Sequence, residues 1–297
     1  MVSSDNGGER VAARLLVVVT VVVLVVAAGS SALALSPRTA AAAPAPVAPP
    51  AVAAAATGCY AWSRVLHVGM SGSDVAQLQI RVAGWSAYRG YVAVDGAFGS
   101  QTQAAVQRFQ SAYGLASDGV AGPATYAKLA ALQDADCTPV HFAWSELDDS
   151  SACGGGFDGG KLPAATVQAN ALRAMWKLEA LRHKLGDRPL LVTSGFRSVA
   201  CNQRVGGASN SQHLYGMAAD LVGTGGVSLC AIALTARTNG FSGMLGPGAP
   251  GHGDHVHLDS RVENHSDGLA DGWYWSAPSC GVPTSGTLQA PAAQAGE

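Results

Sequence analysis

Five side chains in the second half of this sequence have the types and spacing to bind a metal ion or move a proton: His213, Asp220, Asp254, His255 and His257. They fall in two short stretches, Ser211-Gln-His213-Leu-Tyr-Gly216-Met-Ala-Ala-Asp220 and His252-Gly-Asp254-His255-Val-His257, and Arg197 stands upstream in Ser194-Gly-Phe-Arg197-Ser198. A catalytic zinc site commonly takes three nitrogen or oxygen ligands from the protein and leaves a fourth position open. Side chains alternate along a strand, so His255 and His257 would share a face. Both could ligate, or one could ligate while its neighbour meets a substrate. Asp254 is out of phase with them, but a loop at the start of the strand can turn its carboxylate inward. A carboxylate beside a metal-activated water is the general-base arrangement that peptide hydrolysis needs. His67, His141, His183 and His265 have no such company and read as structural or exposed. The serines lack a nucleophile-and-base pattern such as S-x-x-K, which argues against an acyl-serine mechanism.

These groups need a scaffold, and the flanking sequence supplies one. Residues 162–185 read as a long helix with Pro163 in its first turn, Val167, Ala171, Met175 or Leu178, Leu181 and Leu185 on one face, and Gly186 at its end. Leu190–Thr193 reads as a buried strand running into a glycine turn that presents Arg197, and Met217–Val222 and His255–Asp259 are also strand-like. The first half is different. DGAFGSQT at Asp95–Thr102 and DGVAGPAT at Asp118–Thr125 share D-G-x-x-G-x-x-T, each ahead of an apolar-periodic run. Ala105, Val106 and Phe109 mark the first run and Tyr126, Leu129 and Leu132 the second, with Thr or Ser in position to cap each helix. An earlier segment has Ser73 or Asp74 as cap and Val75, Leu78 and Val82 as its face. Three short helices joined by glycine turns are expected there, with binding and no catalysis.

The chain is 297 residues long, which at roughly 150 per domain suggests about two. With 18 Lys+Arg against 20 Asp+Glu it lacks the basic excess of a nucleic-acid binder. Its 48% apolar and 13% charged residues exclude an acidic disordered chain. Much of the apolar excess lies at the start. Arg10 and Arg14 precede an almost unbroken Val/Leu/Ala run, Leu15–Ala28, which is short of the ~20 residues that span a bilayer and ends near the small residues Ala32 and Ala34. Residues 1–34 therefore read as a signal peptide, 35–57 as a Pro/Ala linker and 284–297 as a flexible tail. No stable membrane insertion is expected after cleavage. All six cysteines follow the linker, and an even count behind an export signal favours disulfides over metal ligation. Of the 15 pairings open to six cysteines, the sequential one (Cys59–Cys137, Cys153–Cys201, Cys230–Cys280) would close each module on itself.

Two resemblances follow from these residues. Gly69–Gln79, Asp95–Gln110 and Gly114–Gly119 are similar to the peptidoglycan-binding module of many secreted wall enzymes, which assigns residues 58–137 to an all-α three-helix domain. S-x-H-x-x-G-x-A-x-D followed by H-x-D-H-x-H, with S-G-x-R-S upstream, resembles the zinc D-alanyl-D-alanine carboxypeptidases, relatives of the vancomycin-resistance dipeptidases and of the hedgehog signalling domain. That resemblance covers most of residues 138–283 and implies an α+β domain with a mostly antiparallel sheet. It implies one zinc ion per chain on His213, Asp220 and His257, and Asp254 as acid/base, where related dipeptidases carry Glu. It further implies His255 and Arg197 on the substrate or the developing negative charge, and His252 in the same cleft. The expected protein is a secreted, wall-associated monomeric metallopeptidase that removes the terminal D-Ala from peptidoglycan stem peptides. A D,D-endopeptidase acting on cross-links and a non-catalytic zinc-binding wall adaptor are the competing readings.

Overall fold

The computed structural model describes residues 59–149, 153–263 and 272–286. The signal peptide, the linker, His265 and residues 287–297 of the tail lie outside the described residues. No described helix is long and apolar enough to cross a membrane.

The first module is built from α1 (Ser73–Val82), α2 (Ser100–Ala112) and α3 (Pro123–Ala131). Their apolar faces close on one core containing Val75, Leu78, Val82, Trp85, Phe98, Ala105, Val106, Phe109 and Leu129. The repeated phrase has a structural cause. Buried Gln79, near the end of α1, donates through Nε2 to Asp95 Oδ1, Ala97 O and Thr102 Oγ1 at 2.8, 3.0 and 3.1 Å, and its Oε1 accepts from Gly96 N. Buried Gln110 of α2 repeats this on the next loop, donating to Asp118 Oδ1, Val120 O and Thr125 Oγ1 and accepting from Gly119 N. The two threonines are therefore not helix caps as the sequence suggested. Gly99 and Gly122 occupy the cap positions without side-chain bonds, and the threonines lie inside the first turn as acceptors for a glutamine. Gly72 likewise precedes α1, while Asp74 pairs with Arg64 at 2.5 Å.

The second module is an α+β fold. A six-stranded sheet runs in the order β1-β2-β4-β3-β5-β6, where β1 is Leu190–Ser194, β2 Ala218–Gly223, β3 Gly243–Leu245, β4 Val256–Asp259, β5 Tyr274–Ala277 and β6 Val282–Ser285. All neighbours are antiparallel except β3 and β5. The short helices α4 (Trp144–Leu147), α6 (Val199–Arg204) and α7 (Leu229–Ala236) surround it, and the long α5 (Ala164–Lys184) packs across it. Helix α5 starts after Pro163, which occupies the cap position rather than the first turn. The disulfides join Cys59 to Cys137, Cys153 to Cys201 and Cys230 to Cys280, within one module each.

Helix α5 is buried on two sides. Ala171, Met175, Leu178 and Leu181 face the sheet core, as the sequence stripe required. A second stripe, with Leu172, Trp176 and Ala180 at four-residue spacing, enters the core of the first module. Contact there is close. A Cβ on Gly84 would lie 2.5 Å from Ala180 Cβ and 2.9 Å from Lys177 Cα, so a side chain at 84 would force the modules apart. Lys184 Nζ donates to Gly84 O on one module and Thr238 O on the other, at 3.1 and 2.8 Å.

Replacing Gln110 by Ala strands the buried Thr125 hydroxyl and the buried Gly119 N–H and removes a partner from the Val120 carbonyl and the exposed Asp118 carboxylate. It should destabilise the protein by about 2–4 kcal/mol, read from urea unfolding, while the metal content of the folded protein stays unchanged.

Candidate metal centre and active site

Sheet register brings the candidate ligands together. Asp220 of β2 lies directly opposite His257 of β4, and Ser194 at the end of β1 lies opposite Asp220 on its other side. Neighbours so paired hold their side chains within contact reach on one face of the sheet. His213 arrives from a one-turn 3-10 helix, Gln212–Tyr215, that ends at Gly216. Gly216 has φ 70°, and a Cβ there would meet Val167 O of α5 at 2.5 Å, which explains glycine at this turn into β2.

The donor atoms converge. His213 Nε2 lies 3.2 Å from Asp220 Oδ1 and 3.1 Å from His257 Nδ1, and His257 Nδ1 lies 2.8 Å from Asp220 Oδ1. Both imidazoles are oriented from behind. His213 Nδ1 donates to Gly195 O, and His257 Nε2 donates to Asp259 Oδ2 at 3.0 Å. Each ring thus turns its other nitrogen toward the same point. Asp259 is completely buried and is itself held by the backbone N–H and guanidinium of Arg261. Two imidazole nitrogens and one carboxylate oxygen, all within 4.8 Å of one another, are a group that could hold a metal ion, of the nitrogen and oxygen kind that catalytic zinc sites use. The carboxylate behind a ligating histidine is the usual outer support of such a site.

Electrostatics agree with this geometry. Burial opposes ionisation of Asp220, yet the two histidines hold its carboxyl far below the usual carboxylate range. Burial pushes His213 below the ordinary imidazole value. For His257, burial is outweighed by its hydrogen bonds to Asp220 and Asp259, and its pKa is held up at about 9. In the metal-free site His257 therefore carries a proton at neutral pH.

The remaining candidates surround this triad. Arg197 follows β1 and extends toward Asp220, Nη2 to Oδ2 3.5 Å, and its own pKa is lowered by burial. His255 lies in the turn just ahead of β4, with Nε2 3.9 Å from Asp220 Oδ1 and Nδ1 2.8 Å from Asp254 Oδ1. Asp254 is placed differently from the inward-turned carboxylate the sequence suggested. Its side chain is 91% exposed and lies beyond the His255 ring, because the strand begins only at Val256. His252 bonds through Nδ1 to Pro250 O, and its ring lies 4.9 Å from His255 and 6.1 Å from His257. Arg197, Asp220 and His255 open onto a cleft of about 550 Å3 that reaches Glu146 and Asp149 beside α4. His141 and His183 pair with Glu179 and Asp187, away from the cleft. Asp259 is the site residue that sequence reasoning missed. Its signal was present, since H-x-D on a strand puts the acid on the face of the histidine.

Comparison with known proteins places both halves. Residues 140–259 match Peptidase M15, and residues 71–129 match a peptidoglycan binding domain. The zinc D-Ala-D-Ala carboxypeptidase of Streptomyces albus G is 56% identical over 228 residues, 77% of this chain and 84% of that protein. The N-acetylmuramoyl-L-alanine amidase CwlM of Mycobacterium tuberculosis is 48% identical over 58 residues, covering 20% of this chain and 14% of that one. Among solved structures, the SleB N-terminal domain is 41% identical and covers 23% of this chain and 90% of its own, with a TM-score of 0.21.

Because His257 must lose its proton to ligate, zinc affinity of the metal-free protein should rise about tenfold per pH unit below about 9 and level off above it. Competition against a chromogenic chelator across pH 6–10, on about a unit grid, measures this slope. In the same assay Asp259→Asn should weaken zinc binding by about 10- to 100-fold.

Proposed function

The chain belongs to the Peptidase M15 family, and we propose that it is a secreted, monomeric zinc carboxypeptidase that releases the terminal D-Ala from D-Ala-D-Ala peptides of peptidoglycan. The observation that carries this reading is the convergence of His213 Nε2, Asp220 Oδ1 and His257 Nδ1 beside an arginine-lined cleft. Those three residues would hold one zinc ion, which when bound supplies Lewis-acid polarisation of the scissile carbonyl.

The other roles fall to this chain's own groups. Arg197 brings a partly buried positive charge to the cleft, where it can hold a substrate oxygen and oppose the negative charge that develops on the carbonyl oxygen. His255 is the group placed to move a proton. With Asp254 accepting from Nδ1, its Nε2 presents a lone pair toward Asp220 and the cleft. It can take a proton there and return one to the departing D-Ala amine. Asp254 keeps the acid/base assignment as half of this pair, acting through the imidazole. The His255 hydrogen bond holds its carboxyl below the ordinary range, so it stays ionised behind the ring. His252 packs against His255 and limits how that ring can turn. The first module, matched as peptidoglycan binding, would hold the enzyme on its polymeric substrate.

Zinc-loaded protein should release free D-Ala from an acyl-D-Ala-D-Ala peptide, and absence of release with zinc confirmed bound would contradict the reading. His213→Ala should lose zinc and turnover together. His255→Ala should keep zinc and lose about 10²–10⁴-fold in kcat. Asp254→Asn should lose less, and adding it to His255→Ala should change little further, since coupled groups are not additive. Full additivity of the two substitutions would show that Asp254 and His255 act independently and would overturn the coupled pair.

A further inference from the structure

One buried acid of the cleft has a carboxylate oxygen with no hydrogen-bond partner among the described residues. Asp149 lies just past α4, is 1% exposed, and lines the same cleft as Arg197, Asp220 and His255. Its Oδ1 is buried without a hydrogen-bond partner among the described residues. Such an atom normally finds a partner, and leaving it alone costs about 1–3 kcal/mol. Three structural explanations fail. Arg197 feels the charge of Asp149, but its ion pair is with Asp220 at 3.5 Å. The nearby Cys153 and Cys201 sulfurs, which with Asp149 would make a ligand group, are joined to each other in a disulfide. The backbone bond from Asp149 N to Gly156 O leaves the carboxylate untouched.

Arg197 has the complementary deficit. Its Nε is buried without an acceptor, and its two guanidinium contacts, to Asn202 Oδ1 and Asp220 Oδ2, are both at the 3.5 Å limit. Two residues on one lining of the cleft, Asp149 and Arg197, therefore each hold a buried polar atom without a partner among the described residues. A peptide offers the matching pair, an N–H and a carbonyl or carboxylate oxygen.

We infer that Asp149 is a substrate-binding residue whose carboxylate accepts an N–H of the peptide, amide or ammonium, while Arg197 takes an oxygen of the same substrate. This rests on the peptidase reading given above and adds to it a determinant of which peptides are accepted. It also gives a reason for a buried carboxylate oxygen without a partner among the described residues, since the penalty in the free protein is removed only when substrate arrives.

Asp149→Asn and Asp149→Ala test this with the acyl-D-Ala-D-Ala peptide and with analogues in which each N–H outside the scissile bond is methylated or acetylated in turn. The variants should keep zinc content and kcat, raise KM about 10- to 100-fold, and unfold at or above the wild-type temperature, because an unsatisfied buried charge has been removed. One analogue should show a matching KM penalty in the wild type and none in the variants, which also tells an amide from an ammonium. Unchanged KM in both variants, or a lowered unfolding temperature with the analogue penalty intact, overturns the assignment and makes Asp149 structural. No cleavage by the wild type would instead defeat the peptidase reading.

Discussion

Two imidazole nitrogens and a carboxylate oxygen do not gather within about 3 Å of one another unless something forces them to. The convergence of His213, Asp220 and His257 is the constraint on which the second module is organised. Without a cation between them, a proton on His257 relieves the crowding, which is why that histidine titrates so high. Every supporting feature acts from behind: the Gly195 carbonyl on His213, the Asp259–Arg261 pair on His257, and the register that sets Asp220 opposite His257. Removing a rear support would leave all three side chains in place and still weaken any metal site they form, because the rings could then turn their N–H groups inward.

That rear scaffold leads to α5. The segment after β4 that carries Arg261 is anchored by Lys177, which is fully buried and donates to Gly240 O and Ser260 Oγ and pairs with Glu263. Glu263 also pairs with Arg173 at 2.6 Å, and Arg173 reaches across to the carbonyl of Val92 in the first module. One helix therefore carries the sheet core, the back of the His213–Asp220–His257 cluster and the seat of the other module. A charged group this deeply buried is tolerated because its partners satisfy it.

The parts of the site that were legible in the sequence are those set by spacing along one element. His213 and Asp220 bracket a glycine turn into a strand, and His257 follows on the partner strand. What was not legible depended on where elements begin or on what lies across space. A strand beginning at His255 would let the turn before it bring Asp254 into the cleft; β4 begins at Val256, and the acid stays at the rim. Asp259 was seen only as the end of a strand, although its spacing from His257 was visible. In the first module the D-G-x-x-G-x-x-T echo was legible as turns, but its glutamines were not, since Gln79 answers a loop 16 to 23 residues further on. The second buried stripe of α5 escaped notice because a helix with apolar residues on two sides yields no single face to read. The α+β class with a mostly antiparallel sheet is what the resemblance to the zinc D-alanyl-D-alanine carboxypeptidases implies, and nothing in the strand spacing marks the parallel β3/β5 pair.

The close seating of Gly84 against Ala180 has a consequence for enzymology on a solid substrate. A catalytic half fixed this firmly to its anchor has no search radius of its own. Once the first module grips the polymer, the cleft sweeps only the strand ends that lie at one distance and one bearing from the grip. Trimming would then proceed by hopping, with the dwell time of the anchor setting the interval between cuts and the pattern of untouched ends recording the geometry of the joint.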